Sequence, residues 1–113
     1  FFVHYKDTDK AGEDGNFDAK VDALERFDAS LPAIRALGAD VLVVSGDHST
    51  PSVLAAHGWQ PVPALVWSHY CGADPVTVFT ERACAAGTLG VLPAHHLMPL
   101  VMANALRLTK FGA

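Results

Sequence analysis

Hydrophobic positions fall along the chain in blocks that alternate between strand-like and helical spacing. Residues 1–6, Phe-Phe-Val-His-Tyr-Lys, are apolar and aromatic with a β-branched member, which predicts a strand. Residues 7–16 hold four acids, two glycines and a threonine, the chemistry of a loop. Asn16 is a good N-cap, and Phe17, Val21, Leu24, Phe27, Leu31 and Ile34 then recur at helical spacing toward Gly38. Pro32 is expected to kink or restart that helix, with Asp28 or Ser30 as a second cap.

Residues 40–45 form a short continuous apolar run of the kind buried parallel strands show. A loop over 46–51, a short helix over 52–56 and a third strand over 63–67 are predicted next. Residues 68–90 carry weak signals and read as irregular. Leu97, Leu100, Val101, Ala105 and Leu108 predict a last amphipathic helix ending at Gly112. The order strand, helix, strand, helix, strand predicts an α/β fold. Its sheet is expected to be largely parallel, flanked by helices and joined by right-handed crossovers.

At 113 residues the chain allows one domain, burying roughly 65% of its unfolded surface. Apolar residues make up 50% and charged residues 18%, which excludes a disordered tail. The apolar runs are well short of the ~18 residues that a membrane span needs. The first six residues lack the basic start and cleavage site of a signal peptide. A formal charge of −4 with scattered Lys and Arg argues against a nucleic-acid surface. Cys71 and Cys84 match neither a CxxC nor a zinc spacing, so a reduced, cytoplasmic setting is expected. The opening on Phe-Phe without Met leads us to expect a piece of a larger protein that lacks its N-terminal part.

Ligands of open α/β sheets gather beyond the carboxyl ends of the strands. Asp7, Asp9, Glu13 and Asp14 follow the first predicted strand, and Asp47 and His48 follow the second. His57 stands shortly before the third. Converging carboxylates repel one another unless a cation lies between them, and carboxylate with imidazole suits Mn²⁺, Zn²⁺ or a related ion. The bland alternatives are solvated turn formers and helix caps, the expected roles of Asp14 and Asp18. His95 and His96 read as the exposed start of a helix rather than a ligand pair, and Cys84 as a small buried apolar residue.

Read together, three stretches resemble a known family: Lys6-Asp7-Thr8-Asp9-Lys10-Ala11-Gly12-Glu13-Asp14-Gly15, Gly46-Asp47-His48-Ser49-Thr50-Pro51, and residues 57–63. The family is the archaeal-type 2,3-bisphosphoglycerate-independent phosphoglycerate mutases, of the alkaline phosphatase superfamily. Leu97-Met98-Pro99 and Lys110-Phe111-Gly112-Ala113 resemble its C-terminus. The resemblance implies that residues 1–113 are the C-terminal portion of a metal-binding, phosphatase-like domain.

It also implies two divalent ions, commonly Mn²⁺ with Mg²⁺, Co²⁺ or Zn²⁺ as alternatives. Asp9 and His57 would ligate one ion, and Asp47 and His48 the other. The family carries a histidine four residues after the first aspartate, where this chain has Glu13, which can still ligate through oxygen. The implied reaction interconverts 3-phosphoglycerate and 2-phosphoglycerate, a step of glycolysis and gluconeogenesis, through a phosphoserine. The nucleophilic serine is expected upstream, so no residue here is assigned as catalytic and this piece alone is expected to be inactive. Lys6 is a candidate for binding the phosphoryl group, against the plainer reading of a solvated lysine. Phosphoglycerate is the expected partner, with neither nucleic acid nor membrane, and exposed strand edges make self-association an expectation. Two alternatives stay open: another phosphatase or phosphomutase of the superfamily, and a degenerate, non-catalytic domain.

Overall fold

Asn16 starts the longest element of the protein, whose computed structural model describes residues 1–109. Its side-chain oxygen accepts from the Ala19 N–H at 3.0 Å, satisfying a donor that the first helical turn leaves free. The described residues fall into two units. One comprises Phe1–Gly38 with Asp47–Gln60; the other comprises Ala39–Gly46 and the described residues from Pro61 onward.

In the first unit, α1 (Asp7–Glu13) packs against α2 (Phe17–Arg35). The loop expected over 7–16 is therefore largely helix. Asp7 and Asp9 lie in its first turn, where the helix dipole favours acids. Gly15 ends it in the left-handed conformation (φ 66°): its N–H bonds the Gly12 carbonyl while the Asn16 N–H bonds that of Ala11. The helix α2 runs continuously through Pro32, so the expected restart is absent. Its inward face also differs from the sequence reading, because Phe17 and Leu24 are exposed while Ala23 is 1% exposed. The Tyr5 side chain packs along this face: its hydroxyl donates to the Ala23 carbonyl at 3.0 Å, and its ring meets Phe27 with centroids 5.4 Å apart.

Residues 1–6 are not a strand, and Phe1, Phe2 and Val3 are exposed. An extended segment becomes a strand only with a ladder partner, and these residues have none among the described ones. Residues 52–56 form turns rather than the expected helix, with Ala55 at φ 47°. The isolated bridge Ser49↔Gly58 ties the two ends of this excursion together.

In the second unit, β1 (Val41–Ser45) pairs with β2 (Ala64–Ser68). The pairing is antiparallel, in register from Val41↔Ser68 to Ser45↔Ala64, which corrects the expected parallel sheet. A parallel return needs a crossover, usually a helix packed on the sheet. Residues 46–63 supply turns, a bridge and three prolines, and the chain comes back as a wide hairpin. Ser68, 5% exposed, organises this unit: its hydroxyl bonds Asn104 Oδ1 at 2.9 Å and accepts from the N–H groups of Tyr70 and Cys71.

Within 68–90 the structure adds the single-turn α3 (Glu81–Cys84), capped by Thr80. Cys71 and Cys84 are both free and half-buried, so Cys84 is less enclosed than expected. His95 and His96 lie in a short 3₁₀ turn, exposed as the sequence reading has them. The last helix, α4 (Leu97–Asn104), is shorter than predicted. Leu106 takes the left-handed conformation (φ 55°), and the bonds Leu106 N–H to Ala103 and Arg107 N–H to Met102 close the helix end, a role usually left to glycine. Gly112, its expected end, lies outside the described residues.

Asp74 fastens the irregular segment. One carboxylate oxygen accepts from the Val76 N–H at 2.9 Å and the other from the Thr88 N–H at 3.1 Å. The Thr88 amide first, then that of Val76, holds the Asp74 pKa below its ordinary value. A lowered carboxylate pKa stabilises the fold above the ordinary value and ceases to do so as pH falls through the lower, folded one. Asp74→Ala is accordingly expected to speed limited proteolysis between residues 75 and 87 at pH 7. Its difference from wild type should narrow below about pH 4; an equal difference at pH 7 and pH 3 would refute the charge argument.

Candidate metal centre

The helix α1 is what aligns the acids. Asp9 and Glu13 stand four residues apart, hence on one face, one turn above the other. Across from them the excursion from Asp47 to Gln60 brings His48, Thr50 and His57. Asp9, His48 and His57 each offer a donor atom within 4.8 Å of the others. His57 Nε2 stands 3.7 Å from Asp9 Oδ1 and 3.2 Å from Glu13 Oε1. His48 Nδ1 is 3.9 Å from Asp9 Oδ1, and its Nε2 is 3.6 Å from Asp47 Oδ2. The two imidazole rings are 4.0 Å apart between centroids.

Two residues outside the expected ligand set hold this arrangement. Thr50, 5% exposed, donates its hydroxyl to Asp9 Oδ1 at 2.5 Å and meets His48 Nδ1 at 3.1 Å. Lys20, on α2, reaches the Thr50 carbonyl at 2.5 Å, tying the excursion to the helix pair. Gly12 makes the approach feasible, since a Cβ there would strike the Thr50 carbonyl oxygen and lie 3.0 Å from Thr50 Cγ2. Sequence reasoning passed over Thr50 and Lys20. Thr50 lies inside the Gly-Asp-His-Ser-Thr-Pro stretch but carries neither a carboxylate nor an imidazole, and Lys20 looks like any polar helix position.

Charge in the cluster is unbalanced, with Asp9, Glu13 and Asp47 against Lys6 and, behind Thr50, Lys20. Lys6 donates to Asp9 Oδ2. That bond first, then the Thr50 hydroxyl, lowers the Asp9 pKa from 3.8 to about 2. The same bond to Asp9 raises the Lys6 pKa. Lys6, expected as a phosphoryl-binding group, is thus engaged with a candidate ligand, although its side chain remains 59% exposed.

The donor set fits a divalent cation. Carboxylate oxygen and imidazole nitrogen suit Mn²⁺, Zn²⁺ and their neighbours, and both cysteines belong to the other unit. With metal–ligand bonds of ~2.0–2.2 Å, two donors on one ion lie no more than about 4.4 Å apart. The Asp9–His57, Glu13–His57 and Asp47–His48 separations all meet that limit. Asp47 is 81% exposed at its side chain and stands at the open side of the cluster.

The sequence pattern of the metalloenzyme superfamily matches residues 1–104. The chain belongs to that superfamily. Among its relatives is a probable 2,3-bisphosphoglycerate-independent phosphoglycerate mutase of Aquifex aeolicus, 53% identical over all 113 residues. Proteins of the same name from Thermus thermophilus and Thermotoga maritima are 54% and 51% identical over the same length. The chain spans 28% of the length of each of these superfamily members. A solved structure of a Pyrococcus horikoshii protein superposes with a TM-score of 0.92 at 35% identity, covering 99% of this chain and 35% of that one.

Proposed function

We propose that the chain is the C-terminal, metal-binding portion of a cofactor-independent phosphoglycerate mutase, an isomerase of glycolysis that interconverts 3-phosphoglycerate and 2-phosphoglycerate. The identity of 51–54% along the entire chain to proteins named as probable mutases carries this reading. The convergence of ligand-type residues on one edge of the first unit supports it. Asp9, Glu13 and His57 hold one divalent ion, and Asp47 and His48 contribute to a second, with Mn²⁺ the favoured metal. Bound cations offset the negative charge of the transferring phosphoryl group.

This chain's residues prepare that charge balance. Lys6 and Thr50 keep Asp9 ionised and turned toward His57. The bridge Ser49↔Gly58 holds both histidine-bearing ends of the excursion together. The nucleophilic serine belongs to another part of the whole protein, so this portion is inactive by itself. No described helix is long and apolar enough to cross a membrane. A cytoplasmic setting belongs to this reading because the named relatives are probable mutases of a glycolytic step. The exposed apolar side chains of Phe1, Phe2, Val53 and Trp59 favour burial against further protein, a second copy included.

The decisive assay uses the whole protein, stripped of metal and resupplied with Mn²⁺. Interconversion of the two phosphoglycerates without added 2,3-bisphosphoglycerate is expected, and chelator should abolish it. Release of inorganic phosphate without interconversion would instead identify a phosphatase of the superfamily. Inactivity toward phosphate esters at full Mn²⁺ occupancy would leave a non-catalytic domain.

A further inference from the structure

Thr50 does more than brace the loop. Its hydroxyl lies between a carboxylate and an imidazole and has one proton to give. Asp9 is an ionised carboxylate that also accepts from Lys6, so it can only accept from Thr50. The Thr50 proton therefore points at Asp9, and the Thr50 oxygen presents a lone pair to His48 Nδ1 at 3.1 Å. A favourable contact there requires the ring proton on Nδ1. The neutral imidazole then has its free lone pair on Nε2, the atom 3.6 Å from Asp47 Oδ2. That separation is too long for a good hydrogen bond and suits two ligands of one ion.

We propose that Thr50 is a positioning residue that relays a hydrogen bond from His48 to Asp9, fixes His48 as the Nδ1–H tautomer and so presents His48 Nε2, beside Asp47, as a ligand atom. The consequence is a division of the cluster. Although Asp9, His48 and His57 could share one ion by distance alone, a protonated Nδ1 cannot ligate alongside Asp9. The His48 ring lies against that of His57 with its Nδ1 edge toward Asp9, so the ligand atom left to it is Nε2, beside Asp47, and Thr50 links the two groups through hydrogen bonds. Ligating histidines commonly donate their other ring N–H to an outer partner that fixes the tautomer, and here that partner is a hydroxyl in turn held by a ligand of the neighbouring group.

The inference rests on the two-ion reading, yet its first test needs neither activity nor metal. Whole protein labelled with ¹⁵N-histidine is examined in EDTA at about pH 8.5, where an ordinary imidazole is neutral. The His48 signals are assigned by their loss in His48→Gln. Wild type and Thr50→Ser should both show a protonated Nδ1 and an unprotonated Nε2. Thr50→Val, of similar shape without the hydroxyl, should shift His48 toward the Nε2–H form. In Mn²⁺ titrations, Thr50→Val should weaken the second ion by about 10- to 100-fold, with Thr50→Ser close to wild type.

An Nε2–H tautomer in wild type overturns the proposal, as does a Thr50→Val protein that keeps the Nδ1–H form, or a serine variant that behaves like valine. Loss of the mutase reading with the tautomers as assigned would leave the role of Thr50 standing.

Discussion

Replacing Asp9 with asparagine is expected to lower phosphoglycerate interconversion by the whole protein about 10²–10³-fold, the scale of removing one group that stabilises developing charge. Asp9 is the residue on which the cluster converges: Lys6 holds one of its oxygens, while Thr50 and both imidazoles face the other. Asparagine keeps the shape and removes the charge. Mn²⁺ occupancy should fall with activity, and unchanged activity at full occupancy would exclude Asp9 as a ligand.

A second signature is independent of catalysis. The Asp9 pKa of about 2, against 3.8 for an unperturbed aspartate, means that folding favours its ionised form. The resulting stabilisation, reduced by the solvent that reaches the exposed Lys6 side chain, is present above the ordinary pKa and disappears as pH falls through 4 toward 2. Urea midpoints of wild type and Asp9→Asn in EDTA should therefore differ at pH 7 and converge near pH 2. Parallel curves across that range would place the stabilisation elsewhere.

Gly12→Ala is expected to destabilise the protein by about 1–3 kcal/mol, although alanine favours an isolated helix by ~1 kcal/mol over glycine. The conflict is resolved by what the new methyl group meets. Its nearest neighbour is the backbone carbonyl of Thr50, which cannot swing aside as a side chain can, with Thr50 Cγ2 and Lys20 Nζ each at 3.0 Å. Relief requires α1 to move away from the Asp47–Gln60 excursion, and that movement carries Asp9 and Glu13 away from His57. A lowered melting temperature and weaker Mn²⁺ binding should appear together. Gly58→Ala is the comparison: its tightest contact is the end of the Gln60 side chain, which can rotate where a backbone carbonyl cannot, followed by Pro51 Cδ at 3.3 Å, so its cost should be smaller. A Gly12→Ala protein as stable as wild type would show that the close packing of α1 on Thr50 is dispensable.

Much of the architecture could be read from residue order. Asn16 and the apolar spacing after it predict α2, and the apolar runs over 40–45 and 63–67 predict, within a residue, the two strands that form. What failed did so because a distant partner decided it. The acids and glycines of 7–15 signal a loop locally, but packing on α2 and a glycine at the helix end make α1. Strand direction was set by the fold of 46–63, which composition does not encode. The end of α4 was missed because leucine occupies the left-handed position that glycine normally marks. Among the candidate ligands, Asp9, Glu13, His48 and His57 come together, with Asp47 at their edge. Their spacing was legible as a motif, whereas Thr50 emerged only from its position between two of them.

The first unit has scant interior. Among the described residues, the buried apolar side chains are those of Ala11 and Ala23. Its order rests instead on polar ties between chain segments far apart in sequence: Lys20 to Thr50, Thr50 to Asp9, and His57 to the acids of α1. A cation held by Asp9 and His57 would close a loop of roughly fifty residues, a constraint comparable in kind to a disulfide across the same span. Metal supply would then bear on the stability of this unit, with the unloaded form expected to unfold more readily than the loaded one.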